Sequence, residues 1–258
     1  MAPLKGPGNL IIQNDKQRGQ LDEVVEILKW ITKSAIDACI PGVTTKDLDD
    51  YIGACIYDRK VQSAPKKFYN FPSFSCISIN EEMAHGIGSD RVIQKEDLVK
   101  LDISIYHPNA ICGDMCRTVY HGEDSHRQHL VDVAKLCVEA ATKDLKAGDS
   151  VCKIGKAIEE TAFDNNAFVV EQLKGHGIGR ELHEHPTIPT NFSTWQVIDA
   201  PRLREGELIC IEPVVTWTDT QVYANGLVYI SSTGAHSAQH EDMILVCDDN
   251  VINLTGEV

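Results

Sequence analysis

Residues 98–122 spell LVKLDISIYHPNAICGDMCRTVYHG. Leu101, Ile103 and Ile105 alternate with Asp102 and Ser104, the period-two signature of a half-buried strand. Pro108-Asn109 supplies a turn, and a second arm carrying Asp114 follows, so the stretch predicts a β-hairpin. Aspartate is a poor strand former, yet Asp102 stands between apolar neighbours. A carboxylate buried there must be paired, hydrogen-bonded or bound to a metal, because burying it alone is costly. Taken alone, the hairpin reads most simply as a strand whose polar face is solvated; the remaining chain has to decide.

Upstream, residues 1–13 read as an extended arm rich in Pro and Gly. A helix is expected over about 15–39, with Leu21, Val24, Val25, Leu28, Ile31 and Ala35 on one face and Pro41-Gly42 as its stop. Thr44 or Thr45 can cap a second helix running to about residue 60. A loop over 64–74, a short strand over 75–80 and the segment Ala84-His85-Gly86 lead into the hairpin. Downstream the order repeats. Helices are expected over about 125–145 and 150–165, then a Gly- and His-rich segment over 175–186 and a polar loop containing Trp195. Strands follow over about 207–217, 226–231 and 239–247. The repeated order predicts an α+β fold of two halves, about 14–122 and 123–258, sharing one sheet within a single domain.

A chain of 258 residues with 43% hydrophobic and 24% charged content has enough apolar surface for one large core. Its net charge of -14 argues against a nucleic-acid partner, since no basic run is longer than Lys66-Lys67. No apolar stretch approaches bilayer length and no signal peptide is evident, so no membrane role is expected. Nine cysteines without a CxxC pair point to reduced thiols in the cytoplasm. Cys112 and Cys116 read as small packing residues rather than a zinc pair.

Asp102, Asp114, His176, Glu212 and Glu241 are candidate metal ligands, each in an apolar or Gly-rich, strand-like context. Glu212 precedes Pro213, which favours extended backbone. His176 lies between Gly175 and Gly177, where missing side chains allow close backbone approach. Four carboxylates cannot gather as bare anions; they raise one another's pKa or take a cation between them. Oxygen-rich ligands with one imidazole suit Mn, Fe, Co or Zn in a two-metal hydrolytic site. His85 and His183 bracket the set as candidate hydrogen-bond donors to a reacting carbonyl. His126 and His129 read as surface or satisfied core residues.

Five segments together resemble the methionine aminopeptidases: Cys76-Ile77-Ser78-Ile79-Asn80-Glu81 with His85-Gly86-Ile87, residues 102–114, Gly175-His176-Gly177-Ile178-Gly179-Arg180, Ile211-Glu212-Pro213, and Ser237-Ala238-Gln239-His240-Glu241. Without a large insertion between His183 and Glu212, or an N-terminal zinc-finger extension, the chain is similar to the type I, short bacterial form. The resemblance implies the pita-bread (creatinase/aminopeptidase) fold: pseudo-twofold halves sharing a curved antiparallel sheet, with helices on the outer face. It implies that Asp102 chelates one of two divalent ions (Co, Mn, Fe or Zn), that Asp114 and Glu241 bridge both, and that His176 and Glu212 complete the other. Gln239 would lie just behind the ligands.

The activity so implied is removal of the N-terminal methionine from nascent polypeptides with a small second residue, by attack of a metal-bridging hydroxide on the first peptide bond. Glu212 would carry the proton, with His85 and His183 touching the substrate. The chain would act as a cytoplasmic monomer, with docking on the ribosome left open. Phe68, Phe71, Cys76, Leu182 and Leu227 would line the side-chain pocket. Pro65, Leu182 and Leu227 depart from a usual cysteine, phenylalanine and tryptophan, which leaves a broader specificity open. Asp242 replaces a common histidine and is expected to add negative charge near the metals. The alternatives are an Xaa-Pro-type or broader aminopeptidase of the same fold, or a non-catalytic binding homologue.

Overall fold

The computed structural model describes residues 10–192 and 200–258. Residues 1–9 of the predicted arm, and Trp195 of the predicted polar loop, lie outside them. Helix α1 (Asp15–Ala38) begins where the Asn14 side chain accepts the Gln17 N–H, and its predicted apolar face is buried throughout. Helix α2 (Thr45–Asp58) begins in the same way, with Thr44 accepting from the Asp47 N–H. Strand β1 (Gln62–Ser63) leads into α3 (Ala64–Tyr69), where a loop was expected; Ser63 caps it and Pro65 sits in its first turn. Six residues are too few for helical periodicity to show in sequence. Strands β2 (Cys76–Ile79), β3 (Glu82–Ala84), β4 (Val99–Tyr106) and β5 (Cys112–Val119) complete this half.

The second half opens with α4 (Ser125–Thr142) and α5 (Cys152–Asp164), then β6 (Phe168–Val169), β7 (Gly175–Gly177) and β8 (Glu184–Ile188). The strand expected over 207–217 is two, β9 (Leu208–Ile211) and β10 (Val214–Thr216), split at Glu212-Pro213 where proline has no N–H to give a ladder. Strands β11 (Val222–Asn225), β12 (Val228–Ser231), β13 (Ser237–Val246) and β14 (Val251–Asn253) end the order. His126 and His129 pack on Trp217; the His129 ring stacks at 5.6 Å between centroids.

The main sheet runs β1-β4-β5-β13-β9-β7-β8, with β2, β6, β10 and β14 attached to it and every pairing antiparallel. The halves meet where β13 pairs with β5, His240 opposite Arg117 and Glu241 opposite Cys116. Strand alternation then separates two faces. Leu101, Ile103, Ile105 and Met115 pack with α1 and α2 in one core cluster. A Cβ on Gly113 would come within 2.9 Å of Val24 on α1, so that helix lies directly on β5. Ile209, Ile211 and Ile244 pack with α4 and α5 in a second cluster. Both helix pairs therefore cover one face. Asp102, Ser104, Asp114, Cys116 and Glu241 alternate onto the other.

This alternation corrects the expectation for Asp242. It neighbours Glu241 in sequence but points to the helix-covered face, away from the metal candidates. There Arg117 Nη2 donates to Asp242 Oδ1 at 2.7 Å, Thr255 Oγ1 donates to the same oxygen at 3.1 Å, and Asn253 Nδ2 donates to Oδ2 at 2.7 Å. Burial alone would raise this carboxyl, but His240 and Arg117 hold it well below the usual carboxylate range. Arg117 Nη1 also donates to the Cys116 and Glu241 carbonyls at 2.9 and 2.7 Å, fastening β5 to β13. Removing one partner strands the other charge inside. Asp242→Ala is expected to lower stability by about 3–5 kcal/mol in urea unfolding. An Arg117→Met/Asp242→Leu double variant should recover most of that loss.

Candidate metal centre and active site

Five neighbouring strands, β4, β5, β13, β9 and β7, bring the candidate ligands to the open face of the sheet. The β4–β5 register sets Ser104 opposite Asp114 and Asp102 opposite Cys116. Strand β13 then sets Glu241 opposite Cys116. On the other side β9 pairs Cys210 with His176 of β7 and with Met243 of β13. The glycines flanking His176 act as their context predicted. A Cβ on Gly175 would sit 2.3 Å from the Cys210 carbonyl oxygen, and one on Gly177 2.0 Å from the His185 carbonyl oxygen.

Donor atoms of Asp114, His176, Cys210 and Glu241 all lie within 4.8 Å of one another, and all four residues are buried. Glu212 adjoins this group, its Oε1 3.4 Å from His176 Nε2, while Asp114 Oδ2 is 3.7 Å from that nitrogen. Gln239 Nε2 donates to Glu212 Oε2 at 3.2 Å, behind the cluster as expected. Asp102 stands one strand over and is felt electrostatically by Asp114, Glu212 and Glu241. Three of the five predicted ligands thus form the tight group, and two adjoin it from less buried positions.

The electrostatics are those of crowded anions. Burial, then the Asp102 charge, pushes Asp114 well above the usual carboxylate range. Glu212 and Glu241 are raised likewise, by burial first and neighbouring carboxylates second. Burial pushes Asp102 up to about 7. Asp114 Oδ1 and Glu241 Oε1 are buried with no hydrogen-bond partner. Orphaned anionic oxygens beside an imidazole are the environment that a divalent cation completes, so the donor set fits the metals expected from sequence.

The histidines are prepared as neutral bases. Burial lowers His176 to about 4. Its Nδ1 lies 3.0 Å from the Gly177 carbonyl oxygen, which can only accept, so Nδ1 carries the proton and Nε2 turns a bare lone pair to the carboxylates. Burial, then the neighbouring imidazoles, lowers His183 to about 2; its ring meets that of His176 edge-on at 4.2 Å. His85 is also lowered by burial, and its ring lies 5.1 Å from that of Tyr229.

The predicted pocket residues divide. Cys76 and Leu182 are buried, Phe68 meets Tyr106 edge-on at 5.5 Å, and Phe71 is half-buried. Pro65 is buried in α3. Leu227 is 53% exposed at the turn between β11 and β12. Two residues were missed from sequence. Cys210 stands two positions before Glu212, and period-two spacing alone would have put both on one face. Tyr69, whose hydroxyl lies 2.5 Å from His183 Nδ1, sits on the unpredicted helix α3 and carried no sequence signal.

The model of metallopeptidase family M24 matches residues 19–248. The methionine aminopeptidase of Staphylococcus epidermidis is 33% identical over 250 residues, covering 95% of this chain and 98% of that protein. Methionine aminopeptidase 2 of Bacillus subtilis is 33% identical over 251 residues, covering 95% and 99%. The crystal structure of the Thermotoga maritima methionine aminopeptidase superposes with a TM-score of 0.88 at 27% identity, covering 96% of this chain and all of that one. A family model over most of the chain, a near full-length sequence match and a shared fold agree: the chain belongs to metallopeptidase family M24, among the methionine aminopeptidases of short bacterial-like form.

Proposed function

We propose that the chain removes the N-terminal methionine from polypeptides with a small second residue, using divalent metal ions held on the open face of the sheet. The observation that carries this reading is the buried gathering of Asp114, His176, Cys210 and Glu241 donor atoms, with Asp102 and Glu212 beside it. The relatives' names supply the reaction; the crowded carboxylates supply the reason a metal is needed.

Asp102, Asp114, His176, Glu212 and Glu241 would hold two ions. When bound, the ions supply Lewis acidity, making a water a stronger acid and polarising the scissile carbonyl. The chain's own groups then manage protons and position. Glu212 is the general base: with the cations in place its carboxylate is ionised, takes a proton from the attacking water and passes it to the departing amide nitrogen. Gln239, donating to the far oxygen of Glu212, fixes the orientation of that carboxylate. Burial keeps the Tyr69 phenol protonated to about 12, so its hydroxyl can donate to His183 Nδ1. That leaves the His183 proton on Nε2, available to the carbonyl oxygen as it gains charge. His85, on the other side, would contact the scissile amide. Phe68, Phe71, Cys76 and Leu182 would accept an unbranched thioether side chain, and Leu227 would form a less enclosed wall.

Methionine release from a Met-Ala-Ser peptide should vanish on full chelation with EDTA and return with added metal; release that survives complete metal removal would overturn the reading. Glu212→Gln should lower kcat by about 100-fold or more, with circular dichroism unchanged. Metal uptake should also expel protons. With Asp102 near 7 and its neighbours raised, carboxyls that hold protons below neutrality must lose them to bind. Apparent metal affinity should therefore rise with pH through neutrality, and metal addition to weakly buffered protein at pH 6 should acidify the solution.

A further inference from the structure

Cys210 is the one soft donor in the tight group, which otherwise offers Asp114 and Glu241 oxygens and the His176 nitrogen. Its position is fixed from both sides: β9 sets it opposite His176 on β7 and opposite Met243 on β13, two residues from Glu241. Side-chain alternation points its sulfur to the face that carries the carboxylates. Glu212 follows immediately after the end of β9 and lies beside the same group, its Oε1 3.4 Å from His176 Nε2. Cys76 and Cys116 also pair in register with Asp102, yet neither joins the group whose donor atoms converge. Cys210 is fully buried, and two oxygens beside it, Asp114 Oδ1 and Glu241 Oε1, lack any hydrogen-bond partner. Those residues are 4% and 2% exposed. Cys210 belongs to the buried apolar cluster that holds Ile178, Leu182, Leu208 and Met243, yet its sulfur also lies within 4.8 Å of donor atoms of Asp114, His176 and Glu241.

We propose that Cys210 is a metal ligand, adding a thiolate to the His176 subsite and biasing that subsite toward thiophilic ions. This rests on the metal-site reading above. A donor set of one sulfur, one imidazole nitrogen and two carboxylate oxygens is the kind that four-coordinate zinc accepts. Thiolate ligation favours zinc or cobalt(II) over manganese(II), which prefers oxygen. On binding, the sulfur–metal bond forms as the S–H bond breaks, and the proton leaves to solvent. With Cys210 as donor, this subsite differs chemically from the one built around Asp102.

The test is spectroscopic and needs no turnover. Apoprotein is titrated with cobalt(II), and the near-ultraviolet region is followed for sulfur-to-cobalt charge transfer. The wild-type chain should develop the band as the first equivalents bind. Cys210→Ser should still bind cobalt but lose the band, whereas Cys76→Ser and Cys116→Ser should keep it. In competition with a chromogenic chelator, Cys210→Ser should weaken zinc binding by about tenfold or more and manganese binding much less. Bound cobalt without the band in the wild-type chain overturns the thiolate assignment, whether or not the variants fold, and leaves the metal site standing. A band that persists in Cys210→Ser, or disappears in Cys116→Ser instead, overturns it as well. A chain that takes up no cobalt at all overturns both the assignment and the metal-site reading.

Discussion

The seam between β5 and β13 holds the two halves together, and it carries charge on both faces. Only two residue pairs are in register across it, His240 with Arg117 and Glu241 with Cys116. On the helix-covered face Arg117 joins Asp242, Thr255 and two main-chain carbonyls. On the open face, one residue away, stand Glu241 and Asp114 with oxygens that no protein group satisfies. The first arrangement is closed: every charge has its partner. The second is left open, and the closed one keeps it so. A strand pair fastened by a buried guanidinium cannot slip its register by one residue without exchanging the faces, which would bury the metal candidates under helices and expose apolar side chains.

That logic explains what could be read from the sequence. Helices α1, α2, α4 and α5 were legible because their apolar faces and caps repeat over several turns, as Asn14 and Thr44 show. The metal candidates were legible because a carboxylate inside an apolar strand is chemically out of place. Helix α3 was not, being shorter than two helical turns. In the small sheet β11-β12-β3, β12 fell within the strand expected over 226–231, whereas β3 is only three residues long and β11 is mostly exposed, so neither carried a strand pattern. Asp242 was misplaced by reading nearness along the chain as nearness in space; in a strand the adjacent residue is the one that cannot share a site. Cys210 was overlooked for the opposite reason. A buried cysteine ordinarily packs like a small hydrophobe, and its residue type hides a position that the period-two rule assigns to the same face as Glu212.

The same contrast separates the fixed and variable parts of the site. His176 and the carboxylates ride on central strands bound on both sides, and the glycines around His176 leave its backbone no room to move. The proposed pocket wall is built otherwise. Leu182 is buried in the core cluster that contains α1 and α2, so its replacement of a larger ring changes shape without loosening the wall. Leu227 stands at the tip of a hairpin belonging to the small sheet, which is tied toward the site by the pairing of β12 with β3 and by the Tyr229 ring against His85. A side chain at such a tip contributes little burial when no substrate is present. Its value to binding comes only as the substrate covers it. In the proposed pocket, discrimination of the first residue would therefore rest mainly on the packed side, Phe68, Cys76 and Leu182, and the exposed Leu227 side would be the one that tolerates change.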